Sequence, residues 1–191
     1  MSKLRKGEIE ILGEDERRQL QCFVRRVLKQ LGFNPQQFHV DRSPSGKGMG
    51  KKYVLERTPV LLDLHRKQFC RTRSARFIIA LDADRETIEE ARVSIDKAVT
   101  DAGLAKIQPR EGVVVLITRR SIENWLTFLE DLSANEEDEY KHRKDKEGEI
   151  GQAVSRFVGY VKNPDTMPWE ALPSIQAAVE EFRRELLPVF S

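Results

Sequence analysis

The chain has 191 residues, of which 39% are hydrophobic and 34% charged, and its formal net charge is +2. This length accommodates one domain with a buried core of its own. Two cysteines, a polar N-terminus and the absence of an apolar run of about 20 residues argue against a disulfide framework, a targeting peptide and a membrane span, so we expect a cytoplasmic protein.

The first predicted element is a strand over residues 8–13, which Glu14, Asp15 and Glu16 follow directly. A helix comes next, because an apolar stripe recurs at i, i+3, i+4 and i+7 spacing until Gly32: Leu20, Phe23, Val24, Val27, Leu28 and Leu31. Glu14 therefore lies at a strand-to-helix corner. It is either a site residue or an acid that the helix dipole favours.

A short second strand is predicted at residues 37–40, and a glycine-rich loop over residues 43–52 follows it. The loop lacks the Walker spacing of glycine, lysine and Ser or Thr, so nucleotide hydrolysis by a P-loop is disfavoured. Its lysines Lys47, Lys51 and Lys52 are candidates for binding a phosphodiester backbone. The alternative is an ordinary surface loop.

A helix is predicted over about residues 53–69, with Pro59 either kinking it or restarting it behind Thr58 as an N-cap. From Arg42 to Arg76 the chain holds ten Lys or Arg and two acidic residues, a local excess of +8. Such a segment attracts a polyanion such as nucleic acid, or it is a helix face that water solvates.

The third predicted strand is apolar and ends in Asp82-Ala83-Asp84. Strand side chains alternate between faces, so both carboxylates can point the same way at the carboxyl end of the strand, where open α/β sheets bind ligands. Converging carboxylates repel each other unless a cation lies between them, and Mg²⁺ prefers oxygen ligands. The alternative is that Asp84 is the N-cap of the next helix and that Asp82 is incidental.

The fourth predicted strand is the apolar run over residues 113–117. Arg119 and Arg120 follow it and are candidates for holding a phosphate, and Ser121 is predicted as the N-cap of the next helix. Glu123 falls in the first turn of that helix. It is either a fourth carboxylate of the site or an acid that the helix dipole favours.

Strands and helices that alternate in this way predict an α/β fold with a mostly parallel sheet of about four strands, whose carboxyl ends share one edge. We expect residues 1–132 to form this domain. Residues 133–149 are dense in charge and predict a linker or insertion. Residues 150–191 predict two amphipathic helices that pack on the same domain.

Together these elements resemble the Toprim domain of topoisomerases, bacterial primases, small ribonucleases and OLD-family nucleases. The resemblance covers about residues 8–130 and rests on the strand before Glu14 and the strand that ends in Asp82 and Asp84. It extends to the segment Arg-Ser-Ile-Glu-Asn-Trp-Leu around Glu123. That segment is similar to an element of small standalone Toprim-like proteins of prokaryotes, some of them associated with phage defence.

The resemblance implies a Rossmann-like fold and metal-dependent hydrolysis of DNA or RNA. It also implies that Glu14, Asp82 and Asp84 bind Mg²⁺ or Mn²⁺ and that Glu123 supports them in catalysis. The lysines of the loop, together with Arg119 and Arg120, would then position the nucleic-acid backbone.

One departure from the family pattern concerns the first acid. The usual Glu-Gly reads Glu14-Asp15 here, so Glu10 and Asp15 stay open as alternatives to Glu14. The rival prediction for the whole chain is a non-catalytic subunit that binds nucleic acid or a partner ATPase. No membrane partner is expected, and the sequence indicates no oligomeric state.

Overall fold

The computed structural model describes residues 9–13, 19–42, 50–138 and 150–187. The four strands in these ranges form one parallel sheet in the order β2-β1-β3-β4, with β1 at Ile9–Gly13, β2 at Phe38–Arg42, β3 at Arg76–Asp82 and β4 at Val113–Thr118. The helices are α1 at Gln19–Gln30, α2 at Gly50–Arg71, α3 at Ile88–Asp101, α4 at Ile122–Asp131, α5 at Gly151–Lys162 and α6 at Pro173–Leu186. The predicted α/β fold with a parallel sheet and C-terminal helices is confirmed.

Helices cover both faces of the sheet, which explains the continuous apolar sequence of its central strand. Side chains of β3 alternate between two cores. Ile78 and Ala80 pack with residues of α1, α4, α5 and α6, whereas Phe77, Ile79 and Leu81 pack with residues of α2 and α3. The fold is therefore a three-layer α/β/α arrangement over the described residues.

The larger core centres on four fully buried aromatic side chains, which come from α1, α4, α5 and α6: Phe23, Trp125, Phe157 and Phe182. Trp125 and Phe157 are stacked, with 5.8 Å between their ring centroids, and the other contacts in this group are edge-to-face. The indole N–H of Trp125 donates to the hydroxyl of Ser174 at 2.8 Å. Helices α5 and α6 thus share a core with the sheet.

Helix α2 continues through Pro59, so of the two alternatives for this residue the restart behind Thr58 is wrong. Thr58 is buried inside the helix, and its hydroxyl donates to the carbonyl of Val54 at 2.7 Å. This bond to the preceding turn satisfies the hydroxyl without a helix start. The helix begins at Gly50, so Lys51 and Lys52 lie in its first turn and not in a loop as predicted.

Strand β2 begins one residue later than predicted and extends to Arg42. A 3₁₀ turn at Pro35–Gln37 precedes it, and the side chain of Asn34 caps this turn by accepting from the backbone N–H of Gln36 at 3.0 Å. None of the helices in the described ranges combines the length and the apolar character that a bilayer span requires.

Candidate functional site

The carboxyl edge of the sheet brings the ends of β3 and β4 side by side. Asp82 and Thr118 are register partners at these ends, and the hydroxyl of Thr118 donates a hydrogen bond to Oδ1 of Asp82. Immediately beyond, the backbone N–H of Ala83 donates to the carbonyl of Thr118 at 2.8 Å. The alternation of side chains places Asp82 and Thr118 on the face that α1 and α4 cover, the same face as Ile78.

The chain leaves β3 through a tight turn in which Asp84 adopts a left-handed conformation, with φ 57°. Among residues other than glycine, Asp and Asn tolerate this region best. The N–H of Glu86 donates to the carbonyl of Ala83 at 3.0 Å and closes the turn. Because β3 ends at Asp82, the turn, and not strand alternation, sets the direction of the exposed Asp84 side chain.

Asp84 is not the N-cap of α3, so that alternative interpretation is wrong. The N-cap is Thr87, whose hydroxyl accepts from the N–H of Glu90 at 3.1 Å while the Glu90 carboxylate accepts from the N–H of Thr87 at 2.8 Å. This capping box satisfies the start of the helix without an aspartate. The hydrogen bonds to the backbone of Thr87 lower the pKa of Glu90.

Arg119 and Arg120, which follow β4, connect the end of that strand to the turn after β3. The Arg119 guanidinium donates to the carbonyl of Glu86 at 2.5 Å, and both arginines reach the carbonyl of Asp84 at 3.4 Å. Both also lie 3.6–3.7 Å from the Glu137 carboxylate. The two predicted phosphate-binding arginines therefore lie beside Asp84, where they hold the backbone of its turn.

Glu123 lies in the first turn of α4 and is only 5% exposed. Ser121 occupies the N-cap position as predicted, but its hydroxyl makes no capping bond to the backbone and donates instead to the side chain of Asn124 at 3.2 Å. The Asn124 amide in turn donates to the carbonyls of Asn135 and Asp138, each at 2.9 Å. These bonds fix the start of α4, and with it the backbone position of Glu123.

The first predicted acid, Glu14, lies outside the described residues, as do Asp15 and the predicted phosphate contact Lys47. The structure describes β1 as far as Gly13, whose carbonyl accepts from the buried side-chain amide of Gln21 at 3.3 Å. Glu10, the other alternative, is the second residue of β1 and a register partner of Phe77, so it lies near the amino end of the strand and away from the carboxyl edge.

The remaining predicted cations differ in their surroundings. Lys51 is mostly buried and pairs with Glu86 in the turn after β3 at 2.7 Å, whereas Lys52 is exposed and lies 3.7 Å from Glu56. Much of the basic segment is likewise paired, Arg66 with Glu111 at 2.8 Å and other members with further acids. Carboxylates from outside the segment therefore offset part of its excess charge.

Sequence reasoning missed two polar residues near this edge. Thr118 could have been predicted from the sequence. If the apolar runs of β3 and β4 end at the same level of a parallel sheet, Thr118 is the register partner of Asp82. The other is Asp41 on β2, whose carboxylate accepts from the hydroxyl of Tyr53 and, at 2.5 Å, from Arg57. Hydrogen bonding to Asp41 raises the pKa of Arg57, and burial together with Asp41 raises that of Tyr53. This group ties β2 to α2.

The edge as a whole combines carboxylates, a hydroxyl and cations within a few residues of the ends of β3 and β4. In the described residues, no group of three or more His, Cys, Asp or Glu side chains is arranged to hold a metal ion, and Glu14 is not among the residues described. Comparisons with models of known families, with curated proteins and with solved structures found no match to the chain.

Proposed function

We propose that the protein is a metal-dependent nuclease of the Toprim type that hydrolyses phosphodiester bonds of DNA or RNA, with the carboxyl edge of the sheet as its active site. The observation that carries the proposal is the pairing of Asp82 with Thr118 at the ends of two parallel strands, next to the turn that holds Asp84. Ligands of open α/β sheets bind at this edge.

The donors at this edge suit a hard cation. Asp82 and Asp84 offer carboxylates and Thr118 a hydroxyl, and Mg²⁺ is commonly held by one or two carboxylates together with water and substrate phosphates. Under the proposal Asp82, Asp84 and Glu14 hold Mg²⁺ or Mn²⁺. The chemistry that such an ion supplies when bound is activation of a water molecule and stabilisation of the charge on the leaving oxygen.

The protein's own residues orient the reactants. The Thr118 hydroxyl fixes the Asp82 carboxylate, in the way that outer-shell hydrogen bonds commonly orient metal ligands. Arg119 and Arg120 place two positive charges beside the turn of Asp84, where a phosphodiester would be attracted. Under the proposal Glu123, buried at the N-terminus of α4, supports the site, Lys51 and Lys52 at the start of α2 contact the nucleic-acid backbone, and Lys47, outside the described residues, stays a candidate for the same role.

The test is cleavage by the purified full chain of single- and double-stranded DNA and RNA with Mg²⁺ or Mn²⁺. We expect Asp82→Asn and Asp84→Asn to reduce cleavage by at least about 100-fold, as losses of directly acting groups do. The matched control is Asp165→Asn, an equally conservative change at an exposed residue in a 3₁₀ turn after α5. Cleavage that survives Asp82→Asn unchanged would refute the assignment.

A second candidate function is the non-catalytic subunit that binds nucleic acid or a partner ATPase. The observation that favours it is that Arg119 and Arg120 already hold the protein's own carbonyls and contact Glu137. Calorimetric titration with Mn²⁺ separates the two candidates. If the protein is a nuclease, it binds Mn²⁺ and loses this binding in Asp82→Asn. If it is a binding subunit, it shows no metal-dependent cleavage, and the Asp82→Asn variant keeps its affinity for nucleic acid.

A further inference from the structure

A second polar region lies at the opposite edge of the sheet, near the amino ends of β3 and β4. A cavity of about 510 Å³ opens there. In the described part of the chain, the lining of this cavity includes a single acidic residue, Glu185. It also includes five arginines: Arg73, Arg76, Arg110, Arg183 and Arg184. We call this the arginine cavity. Its volume is within the range of sites that bind small molecules.

The charges in the arginine cavity do not balance. Arg184 pairs with Glu181 at 2.6 Å and with Glu185 at 2.7 Å. No carboxylate within salt-bridge distance is described for Arg73, Arg76, Arg110 or Arg183. Among the described residues, the Arg183 guanidinium donates to the carbonyls of Val161 and Lys162 at the end of α5. Like charges brought together around a cavity repel each other, and a bound anion would relieve that repulsion.

Arg76 supplies the most specific feature. It is 5% exposed, and one of its terminal nitrogens donates to the carbonyls of Arg73 and Ala75, each at 2.6 Å. Its Nε is buried and has no hydrogen-bond partner among the described residues. A buried donor without a partner is unfavourable, so a ligand atom that accepts from it would be bound favourably. Burial also lowers the pKa of Arg76, since a buried cation lacks solvation.

The walls of the cavity hold these donors in place. The guanidinium of Arg73 lies over the ring of Phe69, 4.9 Å from its centroid, in a cation–π contact. Glu185 accepts from the backbone N–H groups of Arg110 at 2.9 Å and Gly112 at 3.0 Å, so it anchors the loop that carries Arg110. The oxygens of Glu185 thus accept hydrogen bonds from the loop and from Arg184, and of the other arginines Arg76 is close enough for the charge of Glu185 to raise its pKa, against the effect of burial.

We propose that the arginine cavity binds a small ligand that carries two or more phosphoryl groups, an inorganic or nucleoside di- or triphosphate. Guanidinium groups match phosphate oxygens with paired hydrogen bonds, which favours phosphate over a single carboxylate. Three or more positive charges that have no carboxylate partner in the described part of the chain match the three to four negative charges of such a ligand. The cavity is larger than one phosphate requires, so adjacent phosphoryl groups would contact different arginines.

The test is calorimetric titration of the full chain with tripolyphosphate, pyrophosphate, ATP and sulfate. We expect saturable binding of tripolyphosphate that is stronger than that of sulfate and that weakens as salt is added. Arg73→Ala should weaken it by about ten-fold, the loss of one charge-assisted contact. Arg110→Asn should act similarly, and asparagine tolerates the left-handed conformation of this residue, φ 65°.

The matched control is Arg71→Ala, which removes the same charge from the exposed last residue of α2, outside the cavity lining. Equal weakening by Arg71→Ala and Arg73→Ala would overturn the proposal, because binding would then depend on overall charge. Arg76→Lys keeps the charge but not the planar donor group, and unchanged affinity in a folded Arg76→Lys protein would also overturn it.

Two further titrations test whether the bound phosphate belongs to a small ligand or to a nucleic acid, and whether the arginine cavity binds independently of the proposed active site. Stronger binding of a 5′-phosphorylated oligonucleotide than of tripolyphosphate, lost in Arg73→Ala, would overturn the assignment to a small ligand. Asp82→Asn should bind tripolyphosphate with wild-type affinity, because Asp82 lies at the other end of β3. Failure of the nuclease proposal therefore leaves this inference standing, and the reverse also holds.

Discussion

Glu185 should be among the most important polar side chains for stability, and Glu185→Gln tests this. Its side chain is fully buried and accepts three hydrogen bonds, from the backbone N–H groups of Arg110 and Gly112 and from Nε of Arg184 at 2.7 Å. Glutamine has a single acceptor oxygen, so its amide NH₂ must face one of these donors. A buried donor left without a partner costs about 1–3 kcal/mol.

The two surviving hydrogen bonds also lose their ionised acceptor, which weakens each by about 1 kcal/mol, the difference between hydrogen bonds to charged and to neutral groups. We therefore expect Glu185→Gln to lower the free energy of unfolding by about 3 kcal/mol. The assay is urea unfolding at pH 7 followed by circular dichroism. Because α6 shares its core with the sheet, the midpoint should fall while the m-value stays constant.

The matched control is Glu180→Gln, the same change at an exposed residue of the same helix. Surface changes of this kind stay within about 0.5 kcal/mol of the wild type. A Glu185→Gln protein as stable as the Glu180→Gln protein would refute the reasoning, since the three hydrogen bonds would then contribute nothing that the amide cannot replace.

Three other changes test the structure: two glycine substitutions whose effects on stability should have opposite signs, and a histidine substitution that should alter the pH dependence of stability. Gly112→Ala should lower the free energy of unfolding by about 2 kcal/mol, because φ is +74° and the new Cβ would lie 2.8 Å from the ring of Phe69. Gly159→Ala, at an exposed position of helix α5 where nothing lies within 4 Å of the added Cβ, should instead stabilise by up to about 1 kcal/mol in the same urea assay. Burial lowers the pKa of His65, whose Nε2 lies 2.8 Å from the carbonyl of Glu111 and donates to it as the neutral ring. Below pH about 6.5, His65 therefore binds a proton in the unfolded chain but not in the folded one. Its contribution to the free energy of unfolding is complete above that pH and declines as the pH falls towards the lowered pKa. Melting temperatures measured from pH 7.5 to 5 should therefore fall less steeply in His65→Gln, and identical slopes would contradict this.

The fold could be predicted from the sequence because its helices carry their apolar residues at helical spacing. The residues Leu20 and Phe23 of α1 and Phe157 and Phe182 of the C-terminal helices are all buried, as their spacing indicates. Local patterns were less reliable where two of them compete. Pro59 predicts a break, but α2 buries Val54 before it and Leu62 after it against one core, and this packing holds the helix together.

The candidate site could be predicted less completely, because its arrangement depends on partners that are distant in the sequence. Asp82 was found from its position at the end of an apolar strand, but its bond to Thr118 required the register of β3 against β4. The alternative that makes Asp84 the N-cap is wrong although Asp84 and Thr87 both suit that position, because only the turn after β3 decides between them. Arg119 and Arg120 were found, but not the carbonyls they hold.

Helix dipoles account for some of the charged residues at the two edges of the sheet. The charged residues that no helix dipole accounts for need another explanation. Glu123 lies in the first turn of α4, where the dipole favours an acid, and Arg183 donates to the last carbonyls of α5, where it favours a cation. Asp82 is on a strand, and Asp84 and Arg110 are in turns with positive φ, so no helix dipole accounts for them. A left-handed backbone disfavours arginine, as it does most residues other than glycine, asparagine and aspartate, because the Cβ crowds the following carbonyl. Substitutions at Asp82, Asp84 and Arg110 therefore test function more directly than substitutions at Glu123 or Arg183, whose loss would also weaken a helix end.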